Sequence, residues 1–200
     1  MASLALLAAT NNPHKLRELQ QILAPHRIAV QSLAEAGFTI DVEEDQSTFT
    51  GNAVKKATTI AAATSRAGLA DDSGLEVFAL GGEPGVYSAR YAGEPGNSQA
   101  NIRKLLRRLE GVADRRARFV CVIAVAVPTG LLGTAEGEIR GTIIDTPRGT
   151  AGFGYDPIFV PDGFELTFAQ LPAALKNRLS HRANALQAAI AAGLFDRLTP

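Results

Sequence analysis

Two adjacent carboxylates, Asp71 and Asp72, follow the apolar run Gly68-Leu69-Ala70 and precede Ser73-Gly74. An apolar run that stops on two acids and then a turn predicts a strand delivering charge to its carboxyl end, where α/β proteins build their sites. Like charges this close raise each other's pKa unless a cation or hydrogen bonds offset them, so the pair suits a bound metal ion. The same residues equally suit an Asx-turn with solvated acids, and their spacing does not separate the two readings.

Cations also stand where a helix disfavours them. Lys15 falls in the first turn of a helix, which already presents partial positive charge. A nearby anion resolves the conflict: backbone N–H groups of the Thr10 to Lys15 turn, donors from Thr10, Asn11 and Asn12, and the Lys15 ammonium together cradle phosphate. A solvated surface lysine is the plain alternative. The misplacement recurs at His181 and Arg182, which follow the cap residue Ser180 at another helix start. Lys176 and Asn177 add donors upstream, and Phe153, Tyr155 and Asp156 bring aromatic faces and an acceptor. Stacking holds a nucleobase and edge contacts identify it, so this set suits a base. Taken singly, Phe153 and Tyr155 are core residues and His181 a surface one. Lys56, one turn after Asn52, either lines one side of a cleft with it or snorkels to solvent.

The elements that must position these groups follow from periodicity. Leu4 to Ala9 reads as a first strand rather than a secretory leader, being short and without a basic lead. Pro13 starts a helix with Leu16, Leu19 and Leu23 on one face, and Ile28 to Gln31 is a second strand. The acidic loop Asp41 to Asp45 leads to Thr48, the N-cap of a helix running to about Arg66 that buries Phe49, Ala53, Ala57, Ile60 and Ala61. Gly81 to Gly96 is a structured loop without a P-loop ending, and Ser98 caps a basic helix ending near Leu109. Arg118 to Val127 and Leu131 to Gly137 form a hairpin around Pro128-Thr129-Gly130. Ile139 to Asp145 and Ile158 to Val160 are further strands, and a last helix from Ser180 turns Ala185, Leu186, Ala189 and Ile190 inward.

Composition bounds the answer. Two hundred residues with 46% hydrophobic content bury a real core, so one domain over residues 1–200, in one lobe or two, is the expectation. Twenty basic and 20 acidic residues leave no net positive field, which argues against nucleic acid as partner. No stretch is long enough to span a bilayer, and the single cysteine, Cys121, inside an apolar run, predicts a core thiol in a reducing cytoplasm.

At this point five segments carry a resemblance: LAATNNPHKLRE (7–18), TFTGNAVKKA (48–57), LADDSG (69–74), GGEPGVYSARYAG (81–93) and the stretch from Gly152 to Leu186. In this order they resemble the inosine triphosphate pyrophosphatase family, which hydrolyses deaminated purine triphosphates, dITP, ITP and XTP, to monophosphate and pyrophosphate. The resemblance implies an α/β fold, an elongated mixed sheet flanked by helices with two lobes around a central cleft, and a homodimer. It implies that Thr10, Asn11, Asn12, Pro13, His14 and Lys15 wrap the triphosphate, with Lys56 a second phosphate contact. Asp72 then matches the proton acceptor and magnesium ligand, Glu44 another metal-side acid, and Ser73 a substrate contact. Phe153, Gly154, Tyr155 and Asp156, with Lys176, His181 and Arg182, match the base and sugar pocket.

The expected chemistry has Mg²⁺ held by Glu44 and Asp72 with Asp71 assisting. Asp72, or Asp71 through a water, deprotonates the water that attacks the α-phosphorus, while Lys15 and Lys56 neutralise the leaving pyrophosphate. Lys176, His181 and Arg182 donate to the 6-carbonyl of inosine and xanthosine, which adenine lacks. The chain departs from the family at Gly51, where a Glu commonly completes a capping box with Thr48; that loss is expected to cost the helix about 1 kcal/mol. Gln170 also replaces a frequent Glu.

The rivals are weaker. A phospho-aspartate phosphatase needs an Asp-x-Asp spacing that is absent, and a serine hydrolase on Ser73 and His181 lacks the Gly-x-Ser-x-Gly elbow. A Maf-like pyrophosphatase for pyrimidine or modified nucleotides and a non-catalytic nucleotide-binding module remain as alternatives.

Overall fold

The computed structural model describes residues 5–94 and 96–198. Among the described residues a six-stranded sheet runs, in spatial order, β2 (Val30–Ser32), β1 (Leu6–Ala8), β3 (Gly68–Val77), β4 (Arg116–Val127), β5 (Gly130–Ile143) and β6 (Phe159–Pro161), with β1 parallel to both β2 and β3 and β5 antiparallel to β6. This is the mixed sheet expected. The chain divides into two compact units: one holds residues up to Asp72, Cys121–Gly137 and those from Arg182 on, and the other holds Ser73–Val120 and Glu138–His181.

In the first unit, β1 (Leu6–Ala8) is fully buried, while Leu4 lies outside the described residues. Helix α1 (Pro13–Leu23) starts on a proline, whose missing N–H costs nothing there, and buries Leu19 and Leu23. Strand β2 (Val30–Ser32) begins two residues later than its pattern suggests. Residues Ala24–His26 add a 3₁₀ turn, Arg27 takes a left-handed φ of 60°, and the Ile28 amide is spent closing onto the Leu23 carbonyl. Helix α2 (Phe49–Thr64) is capped by Thr48 as expected, and left-handed Ser65 stops it just short of Arg66. Gly68 follows at the start of β3 (Gly68–Val77). A Cβ there would lie 2.8 Å from the Ala57 carbonyl oxygen, so only glycine lets α2 lie this close to the strand. The core of this unit gathers Leu6, Leu19, Leu69, Ile123, Val125 and Leu186.

The expected turn at Ser73-Gly74 is not there. Strand β3 continues through both acids and both turn-forming residues, because Leu75 and Val77 beyond them are fully buried and complete the strand. The acids therefore sit in mid-strand, not at a carboxyl end.

In the second unit, the glycine-rich segment contains 3₁₀ turns at Phe78–Leu80 and Gly85–Arg90. Buried Ser88 ties it down: its hydroxyl accepts the Leu75 amide at 2.9 Å, and its carbonyl accepts Asn101 Nδ2 at 3.3 Å. Helix α3 (Ser98–Arg108) is capped one residue earlier than expected, since Asn97 rather than Ser98 accepts the Ala100 amide, at 3.0 Å. Strands β4 (Arg116–Val127) and β5 (Gly130–Ile143) flank the expected turn, but the two segments expected beyond it form one strand. Glu138 at their junction does not interrupt it, its charge being met by Arg118 Nη1 at 2.6 Å. Strand β6 (Phe159–Pro161) and helix α4 (Ala173–Leu179) follow, then α5 (His181–Ala191), which from Arg182 on belongs to the first unit and has Ala185, Leu186 and Ala189 fully buried there and Ile190 only partly. Phe119, Tyr155, Phe159 and Phe168 anchor this unit's core. No helix among the described residues is long and apolar enough to cross a membrane.

Gly51 has a local reason. A Cβ there would meet Gln46 Cβ at 2.9 Å, and the Gln46 backbone brackets the Asn52 amide, donating to Oδ1 at 3.0 Å. Gly51→Ala is therefore expected to lower the thermal stability, although alanine favours a helix by about 1 kcal/mol. A Tm several degrees higher would show that the Gln46 turn yields freely.

Candidate active site

Successive residues of a strand point to opposite faces, and Asp71 and Asp72 accordingly meet different partners. Asp71 accepts Arg182 Nε at 3.2 Å and Nη2 at 2.8 Å and lies 3.2 Å from Lys15 Nζ. Arg182 Nη1 also pairs with Glu18. Asp72 faces α2 instead, accepting Asn52 Nδ2 at 3.2 Å and Lys56 Nζ at 3.1 Å. The Lys56 ammonium further donates to Glu44 Oε1 at 2.6 Å and to the Asp71 carbonyl at 2.7 Å. The neighbouring acids are thus two separate centres rather than one pair.

Their protonation differs for the same reason. Burial alone would push Asp71 up, but the charges of Lys15, Arg182 and Lys56 overcome it and hold the carboxyl far below the usual range. Burial pushes Asp72 above its ordinary value; Lys56 and Lys15 resist, while the Glu44 charge adds to the rise. Lys56 itself stays firmly protonated, because Asp72, Asp71 and Glu44 outweigh the burial that would discharge it. Asp71 is a fixed anion; Asp72 is the more basic group.

Glu44 and Asp72 converge on one ammonium, so both present oxygen atoms to the same small volume. Their oxygens are the hard donors that a divalent cation takes, while the point on which both converge is filled by the Lys56 ammonium. Among the described residues there is no group of three or more His, Cys, Asp or Glu arranged to hold a metal alone. Lys56 is buried, which settles the choice against snorkelling.

The first turn of α1 is partly committed. Thr10 Oγ1 accepts the Asn12 amide at 3.1 Å, and Asn12 Oδ1 accepts the amides of His14 at 2.9 Å and Lys15 at 3.4 Å. Three N–H groups that the sequence offers to phosphate are therefore occupied, and Pro13 has none. Asn11, Pro13 and His14 are exposed, Thr10, Asn12 and Lys15 half-buried.

The second unit brings together most of the residues expected around a base. Asp156 Oδ2 accepts Lys176 Nζ at 2.6 Å and the Phe153 amide at 2.8 Å. Lys176 Nζ stands 4.8 Å from the centre of the half-buried Phe153 ring, a cation–π contact. Gly154 takes a left-handed φ of 61°, and half-buried Ser73 opens this unit's share of β3. His181 stacks on Phe119, ring centres 4.8 Å apart. Tyr155 is different: its ring belongs to the core and its hydroxyl donates to the Ser88 carbonyl at 2.9 Å, which matches the core alternative for it. Arg182 is also different, since its side chain is 1% exposed and committed to Asp71 and Glu18. The expectation for it is a contact to the base; the structure places these two carboxylates against it.

Sequence reasoning missed Glu18 and Phe119. Glu18 lies three residues after Lys15, beside the leucine stripe, and only that spacing hints that a charge could be buried there. Phe119 is indistinguishable by pattern from its apolar neighbours on β4.

One unit thus carries acids interleaved with lysines on an α/β sheet, and the other an aromatic–lysine–acid group. The Ham1 family model matches residues 6–192, and the chain belongs to that family. It is 49% identical over 183 residues to a dITP/XTP pyrophosphatase of Bacillus subtilis (strain 168), covering 90% of this chain and 92% of that protein. To the dITP/XTP pyrophosphatase of Desulforamulus reducens it is 52% identical over 188 residues, covering 92% and 93%. Among solved structures, the Coxiella burnetii HAM1 protein superposes with a TM-score of 0.85 at 39% identity, covering 96% of this chain and 99% of that one. The Staphylococcus aureus Ham1 protein gives 0.82 at 44%, covering 94% and 98%.

Proposed function

We propose that this protein hydrolyses deaminated purine nucleoside triphosphates, dITP, ITP and XTP, to the monophosphate and pyrophosphate. The observation that carries the reading is the division of labour between Asp71 and Asp72, in a chain about half identical to proteins named for that activity. Lys15 and Lys56 are assigned to the phosphates, and Phe153 and Lys176 to the base.

Glu44 and Asp72 would hold Mg²⁺, and Mg²⁺ when bound screens phosphate charge and lowers the pKa of a coordinated water. Asp72 accepts the proton of the attacking water, being the acid whose basicity burial raises. Lys56 orients Asp72 and Glu44, and Asn52 fixes the second Asp72 oxygen. Lys15, already at a helix start, meets charge developing on the pyrophosphate, with Thr10, Asn11, Asn12, Pro13 and His14 shaping the turn around it. Asp71 keeps Lys15 and Arg182 in place and takes no proton. Ser73 lies next in the strand as a substrate contact.

On the base side, Phe153 supplies a stacking face, Gly154 lets the chain approach closely, and Lys176 and His181 donate to the purine 6-carbonyl. Adenine presents an amine there and would leave buried donors unpaired. Lys176→Gln is expected to reduce the ITP over ATP ratio of kcat/KM by at least about tenfold. An unchanged ratio removes Lys176 from base recognition.

The reading extends to a homodimer, which sedimentation checks, and to the cytoplasm, consistent with a lone buried thiol and a nucleotide-pool substrate. Pyrophosphate release from ITP, XTP, dUTP, dTTP, ATP and GTP, with and without Mg²⁺, tests the whole. Release from ITP and XTP, dependent on Mg²⁺, is expected. Preference for dUTP or dTTP would favour a Maf-like enzyme, and binding without release a non-catalytic module.

A further inference from the structure

We infer that Phe119, on β4, is a positioning residue for base selection, acting through His181; the inference rests on the proposed function above. The two rings lie nearly parallel, 12° between planes and 4.8 Å between centres, and both residues are buried, at 7% and 6% exposure. The terminal torsion of histidine is soft, with broad wells, so an unsupported imidazole swings its N–H directions through wide angles. A hydrogen bond to a carbonyl weakens steeply when the donor is misaligned. A flat ring pressed on the imidazole face removes that freedom.

Phe119 is itself held. Phe159 meets it nearly edge-on, with ring centres 4.7 Å apart and 64° between planes, and Phe168 stacks on it with centres 6.0 Å apart and 20° between planes. Leucine or valine would fill the space as core but give His181 no plane to lie on. Specific recognition needs donors whose own orientation is locked by their supports. Phe119 supplies that lock without touching the nucleotide.

The test compares Phe119→Leu with Phe159→Leu, which loosens the same aromatic cluster but leaves the ring under His181. Steady-state kinetics are measured with ITP and ATP, and Tm for each protein. Phe119→Leu is expected to raise KM for ITP about tenfold, keep kcat within about threefold, and lower the ITP over ATP ratio about tenfold. Phe159→Leu, with a comparable fall in Tm, is expected to change that ratio by less than about twofold. Equal shifts in the two variants, or an unchanged ratio in Phe119→Leu, overturn the inference and leave the activity standing. Absence of pyrophosphate release from ITP by the wild type overturns the activity itself, and the inference falls with it.

Should Phe119→Leu not fold, proton NMR of the wild type decides. The His181 ring signals are expected to lie upfield, in the ring current of Phe119, and to stay there when IMP is added. Loss of the upfield position on IMP binding would show the stack breaking as the base arrives, and would overturn the inference.

Discussion

Asp72→Asn is expected to lower turnover of ITP by about 10² to 10⁴, which is about 3 to 5 kcal/mol of barrier, while nucleotide affinity changes only a few fold. The amide keeps the shape of the carboxylate and can still accept from Lys56, but it cannot take a proton. Lys56 keeps Glu44 Oε1 and the Asp71 carbonyl as acceptors, so its buried charge is still met. Asp71→Asn gives the opposite signature. That carboxylate is held ionised by Lys15 and Arg182, so neutralising it strands buried cations and costs stability before rate. Comparing kcat, KM and Tm of the two variants checks the division; near-normal turnover in Asp72→Asn would move the proton acceptor elsewhere.

How far the residues announced this arrangement depends on whether the signal is local. Pro13, Asn12 and Thr48 mark helix starts within three residues of themselves, and those helices begin where expected. Buried faces of α2 and α5 follow from spacing alone. Strand β3 was harder, because Ser73-Gly74 favours a turn locally and only burial of Leu75 and Val77 in the second unit's core pulls the chain straight. The site divides in the same way. Lys15 stands out as a cation at a helix start and Asp71-Asp72 as adjacent like charges, whereas the opposite facing of the two acids appears only once the strand is known to run through both. Arg182 shows the limit most clearly. Beside His181 in sequence it looked like a second donor to the base, but the first turn of α5 sends it to Asp71 and Glu18, partners 111 and 164 residues away.

Those partners change what Arg182 should do when removed. Its guanidinium is almost wholly buried against two carboxylates, so Arg182→Met takes that cation from both and leaves Asp71 to Lys15. Losing one partner of a buried ion pair costs about 3 to 5 kcal/mol, a large share of the about 5 to 15 kcal/mol that holds a domain together. The expected result is a sharp fall in denaturant midpoint, not merely a narrowed preference for ITP over ATP. Adding Glu18→Gln should restore part of the loss, because it removes one stranded charge while keeping the volume. The loss should also depend on pH in a defined direction. Asp71 is depressed in the folded protein, so its contribution is present above the ordinary carboxylate range, near about pH 4, and fades as acid protonates it. Urea unfolding of wild type and variant should therefore differ most near neutrality and converge at lower pH. A difference that stayed constant from neutrality into acid would assign the loss to packing of the long side chain rather than to the charge on Asp71.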